Sequence, residues 1–281
     1  MNSENLQTKW GQFIPLAIVF FFWGFVAASN DILIPVFKTA FNLTQSESQW
    51  VSLAFYIAYT VGSLIYMGIS ILIKEDIVNK IGYKNGLALG LTISAVGTLL
   101  FYPAANTGSF PLMLSGLFIV ALGVSLQQTV ANPLAIALGP ISTGSQRLTM
   151  AGGINNLGTT IGPLIVSYAI FGANTNATTT MSIESVKIPY LILGSAFLLV
   201  AILLKFSSIP ERPATILEVA DETKTTKKTA LQYPQLVLGM IAIFLYVGVE
   251  VSTASNLPAY METHLGFLTQ DVAPYISLYW A

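Results

Sequence analysis

Two carboxyl groups stand where the chain otherwise reads as hydrocarbon. Asp31 ends the apolar run that opens at Phe13, and Glu250 lies within "YVGVEVSTASN". The remaining acids fall in loops, tails or helix ends, and apart from Lys205 at a helix end no apolar segment holds a lysine, arginine or histidine to pair with these two. An uncompensated charge in hydrocarbon costs about 3 kcal/mol or more, so each acid must face water, hold a proton, or both. A carboxyl group placed so exchanges protons with whichever side of the membrane wets it, which is the chemistry of a proton carrier. For Asp31, near the end of its segment, hydrogen bonding to a neighbouring helix is the plainer alternative. Glu250 lies about 22 Å along its helix from Gln235, past the midplane.

Uncharged polar residues gather in the same segments. Asn30 adjoins Asp31. Gln128 and Asn132 are four apart and share a helix face, and Asn155 on the next, antiparallel segment stands within about one turn of Gln128 in depth. Tyr246, Glu250 and Thr253 share a face at i, i+4 and i+7. Trp23, Tyr56 and Tyr59 add aromatic faces. Amides and carboxylates match vicinal hydroxyls, aromatic rings match the C–H face of a pyranose, and an anionic substrate would call for cations that the segments lack. The set therefore predicts a small, neutral sugar as ligand. The alternative is that these amides only bind helix to helix.

Only 9% of the 281 residues are charged and 54% are hydrophobic, which cannot supply a water-facing surface. The chain reads as an all-α protein of the lipid bilayer. Apolar segments are expected at about 13–36, 50–73, 86–105, 110–137, 150–172, 188–206 and 235–257. An eighth begins at Val272, and its ten residues cover only about 15 Å as a helix, so the sequence is expected to be an incomplete copy whose second half is truncated in its second helix. Such a fragment is expected to lack coupled uptake.

With the N-terminus inside, cytoplasmic loops gather Lys9, Lys74, Lys80, Lys84, Arg147, Lys205, Arg212, Lys224, Lys227 and Lys228, against Lys38 and Lys187 outside. That asymmetry predicts a cytoplasmic N-terminus in a multi-pass protein of the inner or plasma membrane. A cleaved signal peptide ending near "VAAS" is the rival reading of the first segment, which is too long and aromatic for a usual signal core. The polar stretch from 207 to 234 is expected to be a cytoplasmic loop between a six-helix half, 1–206, and the start of a second half, 235–281. "GLALG" and "GTTIG" are small-xxx-small patterns for close helix approach. Two sequons, at Asn42 and Asn176, fall in the loops assigned to the outside.

Several classes are excluded. There is no cysteine, hence no disulfide or thiolate site, and no basic patch for a nucleic-acid partner. The single histidine, His264 beside Glu262, is too little for a metal centre, and no Ser-His or HExxH arrangement occurs. Neither enzymatic activity nor a bound cofactor is expected.

"FFFWGFVAASNDILIP", "NKIGYKNGLALGL", "LLFYPAA", "QQTVANPLAIALGP", "RLTMAGGINNLGTTIGP" and "YVGVEVSTASNLPAYM" together resemble the fucose, glucose and galactose proton symporters of the major facilitator superfamily, in order along nearly the whole chain. The resemblance implies a major facilitator-type helical bundle that carries a hexose with a proton by alternating access. It gives Asp31 the role of the family's first-span proton-coupling aspartate. Gln128 stands where the fucose permeases have glutamate, Gly152 where they have glutamine, and Asn155 is retained. "NKIGYK" resembles a degraded inner-loop motif with Asn79 in place of aspartate. A glutamine cannot carry a proton, so Glu250 is expected to supply the second titratable group. Sodium coupling, with Asp31 and carbonyls freed near Pro35 as ligands, and a non-transporting sugar sensor on the same fold are the competing readings.

Overall fold

The structure is a computed structural model that describes residues 7–172, 183–213 and 230–281. The Asn176 sequon and most of the charged loop lie outside the described residues. Among those described, the chain is helical with no strand: α1 (Trp10–Ala40), α2 (Gln45–Ser48), α3 (Trp50–Ile73), α4 (Ile77–Ile81), α5 (Tyr83–Leu99), α6 (Phe101–Thr107), α7 (Phe110–Ala137), α8 (Gly144–Phe171), α9 (Lys187–Phe206), α10 (Pro234–Leu265) and α11 (Ala273–Trp280). Each expected apolar segment is a helix, extended by a few residues at its ends, and α5 and α6 form one span interrupted at Leu100.

Six of these spans are both long and apolar enough to cross a membrane. The exception is α8, which has the length, about 42 Å, but opens on the polar run "GSQRLTMAGGINN". It tolerates those residues because it lies along α1, with small residues at the seam. At Gly158 a Cβ would meet the Phe21 carbonyl oxygen at 2.1 Å, and at Gly162 the Phe25 carbonyl oxygen at 2.6 Å. The "GTTIG" pattern thus lets two backbones touch. "GLALG" does the same between α5 and α7, where Gly90 faces Gly123. α5 also packs on α9, and α3 on α7, which completes a bundle of six spans. α10 leans lightly on α1, and α11 lies against α8.

Two apolar clusters hold this bundle. One runs from Phe13 through Leu91 and Leu134 to Leu204 at the N-terminal end of α1. The other, around Phe37, Phe101 and Tyr190 at its far end, takes in Met261 and Ile276 from α10 and α11. Between the two clusters α1 carries Ser29, Asn30 and Asp31, all buried. Polar groups interrupt the core at this level only because the helices bearing them come together there. Pro35 lies within α1 and has no N–H, so the Asp31 carbonyl loses its intrahelical donor.

Arg147, read from sequence as a cytoplasmic loop charge, is 2% exposed at the start of α8. Its guanidinium donates to the carbonyls of Ala135 (3.0 Å), Ile136 and Pro140 (2.9 Å) and to Thr143 Oγ1 (2.7 Å). These include carbonyls of the last turn of α7, which have no intrahelical donor. The same end of the bundle anchors the start of the long loop. Lys84 Nζ donates to the Ser207 carbonyl at 2.8 Å, Tyr83 N–H to the Glu211 carbonyl at 2.8 Å, and Ile209 is 1% exposed in the core.

Candidate functional site

A cavity of about 1000 Å³ separates α3 from α10, with α1 and α7 as its floor. Trp23 and Ala27 come from α1, Gln128 from α7, and Tyr56, Tyr59 and Thr60 from the middle of α3. Ser46, Gln49 and Ser52 line it near the start of α3, and Ser252, Ser255 and Asn256 line it from α10. No lining residue is charged. Aromatic rings therefore supply most of its polarisable surface, and amides and hydroxyls its directional contacts.

Helix periodicity explains the selection. Trp23 and Ala27 are one turn apart on α1, and Ser52, Tyr56 and Tyr59 recur at i, i+4 and i+7 on α3. On α7 the neighbours Gln127 and Gln128 point about 100° apart. Gln127 is fully buried and its Nε2 donates to Ser94 Oγ on α5 at 3.0 Å, whereas Gln128 turns to the cavity.

The hydrogen bonds leave specific valences open. Ser255 Oγ and Asn256 Nδ2 donate back to carbonyls of α10, at 2.8 Å each, so their oxygens remain as acceptors. The Gln49 Nε2 and Asn30 Nδ2 atoms are buried and have no protein partner. An amide donor buried without an acceptor is costly, and water or a hydroxyl-bearing ligand would satisfy it.

The two acids flank this cavity without lining it. Asp31 is 6% exposed, one turn beyond Ala27, and its Oδ2 accepts from the indole Nε1 of Trp280 on α11 at 2.9 Å. Glu250 Oε1 accepts from Tyr246 Oη, and its backbone carbonyl accepts from Tyr279 Oη at 2.8 Å. Tyr56 stands on the cavity wall. Among the described residues neither acid has a cationic partner; the one ion pair is Lys187–Glu184. Nor do those residues contain a cluster of metal-binding side chains.

Of the residues singled out from sequence, the structure brings Trp23, Tyr56 and Gln128 onto one cavity and sets Tyr246 with Glu250 beside it. Asn155 is spent elsewhere: its Nδ2 donates to the Phe20 carbonyl at 3.1 Å and its own backbone sits against Gly24, which fastens α8 to α1. Asn132 is half-buried on α7 and is not in the cavity wall. The sequence alone does not mark Gln49, Ser52, Asn256 or Trp280. For Gln49 and Ser52 the only signal is that they precede Tyr56 and Tyr59 at helical spacing; the reach of Trp280 to Asp31 has none.

Comparison with known proteins places the chain. Residues 16–281 match the family described as Major Facilitator Superfamily. A glucose/galactose transporter of Brucella abortus is 36% identical over 267 residues, which cover 94% of this chain and 62% of that protein. The L-fucose-proton symporter of Escherichia coli is 35% identical over 215 residues, 70% of this chain and 47% of that one. The crystal structure of the E. coli fucose:proton symporter superposes with a TM-score of 0.62 at 26% identity, over 88% of this chain and 62% of that chain. The chain thus spans less than two thirds of the length of the relatives it matches.

Proposed function

From the premise that the chain belongs to the major facilitator superfamily, we propose that the whole protein is a secondary transporter which takes up a neutral hexose together with a proton. The observation that carries this reading is the uncharged, aromatic- and amide-lined cavity between α1, α3, α7 and α10, with two unpaired carboxyl groups at its edge. A neutral lining suits a neutral polyol, since binding an anion without a cation would leave its charge unmatched. The relatives named for glucose, galactose and fucose support the substrate class, and the one named as a proton symporter supports the coupling ion.

In this reading residues 1–206 form the first half of the transporter, 207–234 the loop between halves, and 235–281 the start of the second half. The lysines and arginines assigned to the inner loops support a cytoplasmic N-terminus and residence in the inner or plasma membrane. Trp23, Tyr56 and Gln128 hold the sugar, with Asn30 and Gln49 as donors to its hydroxyls. Asp31 and Glu250 take up the proton. Loading of both ligands lets the halves rock and exposes the cavity to the other side. The protein carries its substrate without chemical change and has no cofactor beyond the co-transported proton.

Uptake of labelled hexoses into proteoliposomes of the full-length protein tests this. Accumulation under an imposed inward proton gradient is expected, and it should persist without sodium. Accumulation that a sodium gradient drives and a proton gradient does not would overturn the coupling ion. Sugar binding without flux would replace the transporter by a sensor.

A further inference from the structure

The last turn of α11 touches both acid-bearing helices through adjacent side chains. Trp280 Nε1 donates to Asp31 Oδ2 at 2.9 Å, and Tyr279 Oη donates to the Glu250 carbonyl at 2.8 Å. The Trp280 carbonyl in turn accepts from Thr159 Oγ1 on α8 at 3.0 Å, which fixes the turn that presents the indole. Among the described residues Trp280 is the sole hydrogen-bond donor to the Asp31 carboxyl group. An N–H to carboxylate bond between neighbouring helices is strong when the acid is charged and weaker when it is neutral.

We propose that Trp280 is the positioning residue for Asp31, and that its hydrogen bond latches the second half of the protein to the first in the conformation seen here. The proposal rests on the two-half transporter described above. Neutralising Asp31 weakens the acceptor and releases α11 from α1, so the arrival of a proton and the freedom of the halves to move become one event. The surroundings leave this role to Trp280. α8 contributes only Arg147 as a charged group, at its opposite end, and α7 and α11 contribute none. From α3 comes Tyr56, from α10 Glu250 with Tyr246, and from α2 the exposed Glu47, which is bonded to Thr44. Lys38, on α1 itself, is two turns away and donates to Gln45.

Residues 1–281 contain no cysteine, so spin labels at Ser46→Cys and Thr263→Cys, in full-length protein with any cysteine beyond residue 281 replaced by serine, would report the distance between α2 and the end of α10. Trp280→Phe, which keeps a ring and removes the donor, is expected to shift the ratio of the two distance populations by about tenfold away from this conformation, the scale of one charge-assisted hydrogen bond. Asp31→Leu is expected to shift it the same way, and the double variant no further than either. An unchanged ratio in Trp280→Phe, or effects that multiply, would overturn the latch. Should Trp280→Phe not fold, ultraviolet resonance Raman difference spectra of native protein against Asp31→Leu decide: loss of a bonded indole N–H band supports the contact, and identical spectra remove it. No sugar is needed for either measurement, so absent proton-driven uptake with these results intact would count against the transport reading alone.

Discussion

Tyr246 Oη lies 2.5 Å from Glu250 Oε1, one turn apart on a face of α10 turned away from the residues that line the cavity. The tyrosine is exposed and the acid half-buried, and the bond orients the carboxyl group from one turn away. If Glu250 is a proton carrier, its loss and the loss of its orienting partner must differ in kind. Glu250→Gln is expected to lower the number of protons taken up per sugar. Tyr246→Phe should keep the ratio and slow uptake by less than about tenfold, since a single exposed hydrogen bond is worth at most about 1.5 kcal/mol. Proton and sugar fluxes measured in the same vesicles separate the two, and a native ratio in Glu250→Gln would remove that residue from coupling.

Arg147 offers a test of stability away from the cavity. Its guanidinium is buried and spreads its donors over three carbonyls and one hydroxyl. Lysine has one nitrogen and cannot reproduce the planar fork. Arg147→Lys is therefore expected to destabilise the bundle by about 2 to 4 kcal/mol, as carbonyls at the end of α7 lose their donor. Thermal unfolding in detergent would show it, and an unchanged melting temperature would mean that water replaces the guanidinium without cost.

How far the residues alone foretold this arrangement depends on whether a feature is local or long-range. Hydropathy locates six spans because the bilayer demands about 20 apolar residues whatever the tertiary structure, and of α8 it marks only the part that follows the polar opening turns. Period 3.6 places Tyr246 with Glu250, since residues on one helix carry their geometry with them. Trp280 and Asp31 are 249 positions apart, and nothing in either segment encodes the other. Asn155 illustrates a second limit. Its depth in the membrane followed from counting residues, but the choice between cavity and seam depended on how closely Gly24 and Gly158 let α1 and α8 approach. Arg147 reads as a loop cation from its position before an apolar segment, whereas it lies buried in the first turn of α8, because the last turn of α7 supplies the carbonyls it bonds.

The α1–α8 seam should be intolerant at one glycine and indifferent at another nearby. A Cβ at Gly158 would overlap the Phe21 carbonyl, whereas at Gly153 it would meet nothing within 4 Å. Gly158→Val is expected to destabilise by about 2 kcal/mol or more, because backbone against backbone cannot yield as a side chain does. Gly153→Ala should be neutral or stabilise by up to about 1 kcal/mol through helix propensity. Equal melting temperatures for the two variants would contradict the close contact.

The adjacent glutamines of α7 make the sharpest contrast between binding and packing. Gln127 is fully buried and bonded to Ser94, which itself donates to the Val120 carbonyl, so this amide belongs to the α5–α7 seam. Gln128 faces the cavity and has no hydrogen bond to the described protein. Gln127→Ala should lower stability by about 2 kcal/mol, from the void and the lost hydrogen bond, with sugar affinity nearly unchanged. Gln128→Leu should do the reverse: stability holds, and hexose affinity falls about tenfold as a hydroxyl loses its partner. Binding calorimetry with a panel of hexoses and thermal unfolding on the same two variants read both quantities. If Gln128→Leu bound sugar as tightly as the native protein, the α7 wall of the cavity would not be part of the sugar site, and recognition would pass to Trp23, Tyr56 and the amides of Asn30 and Gln49.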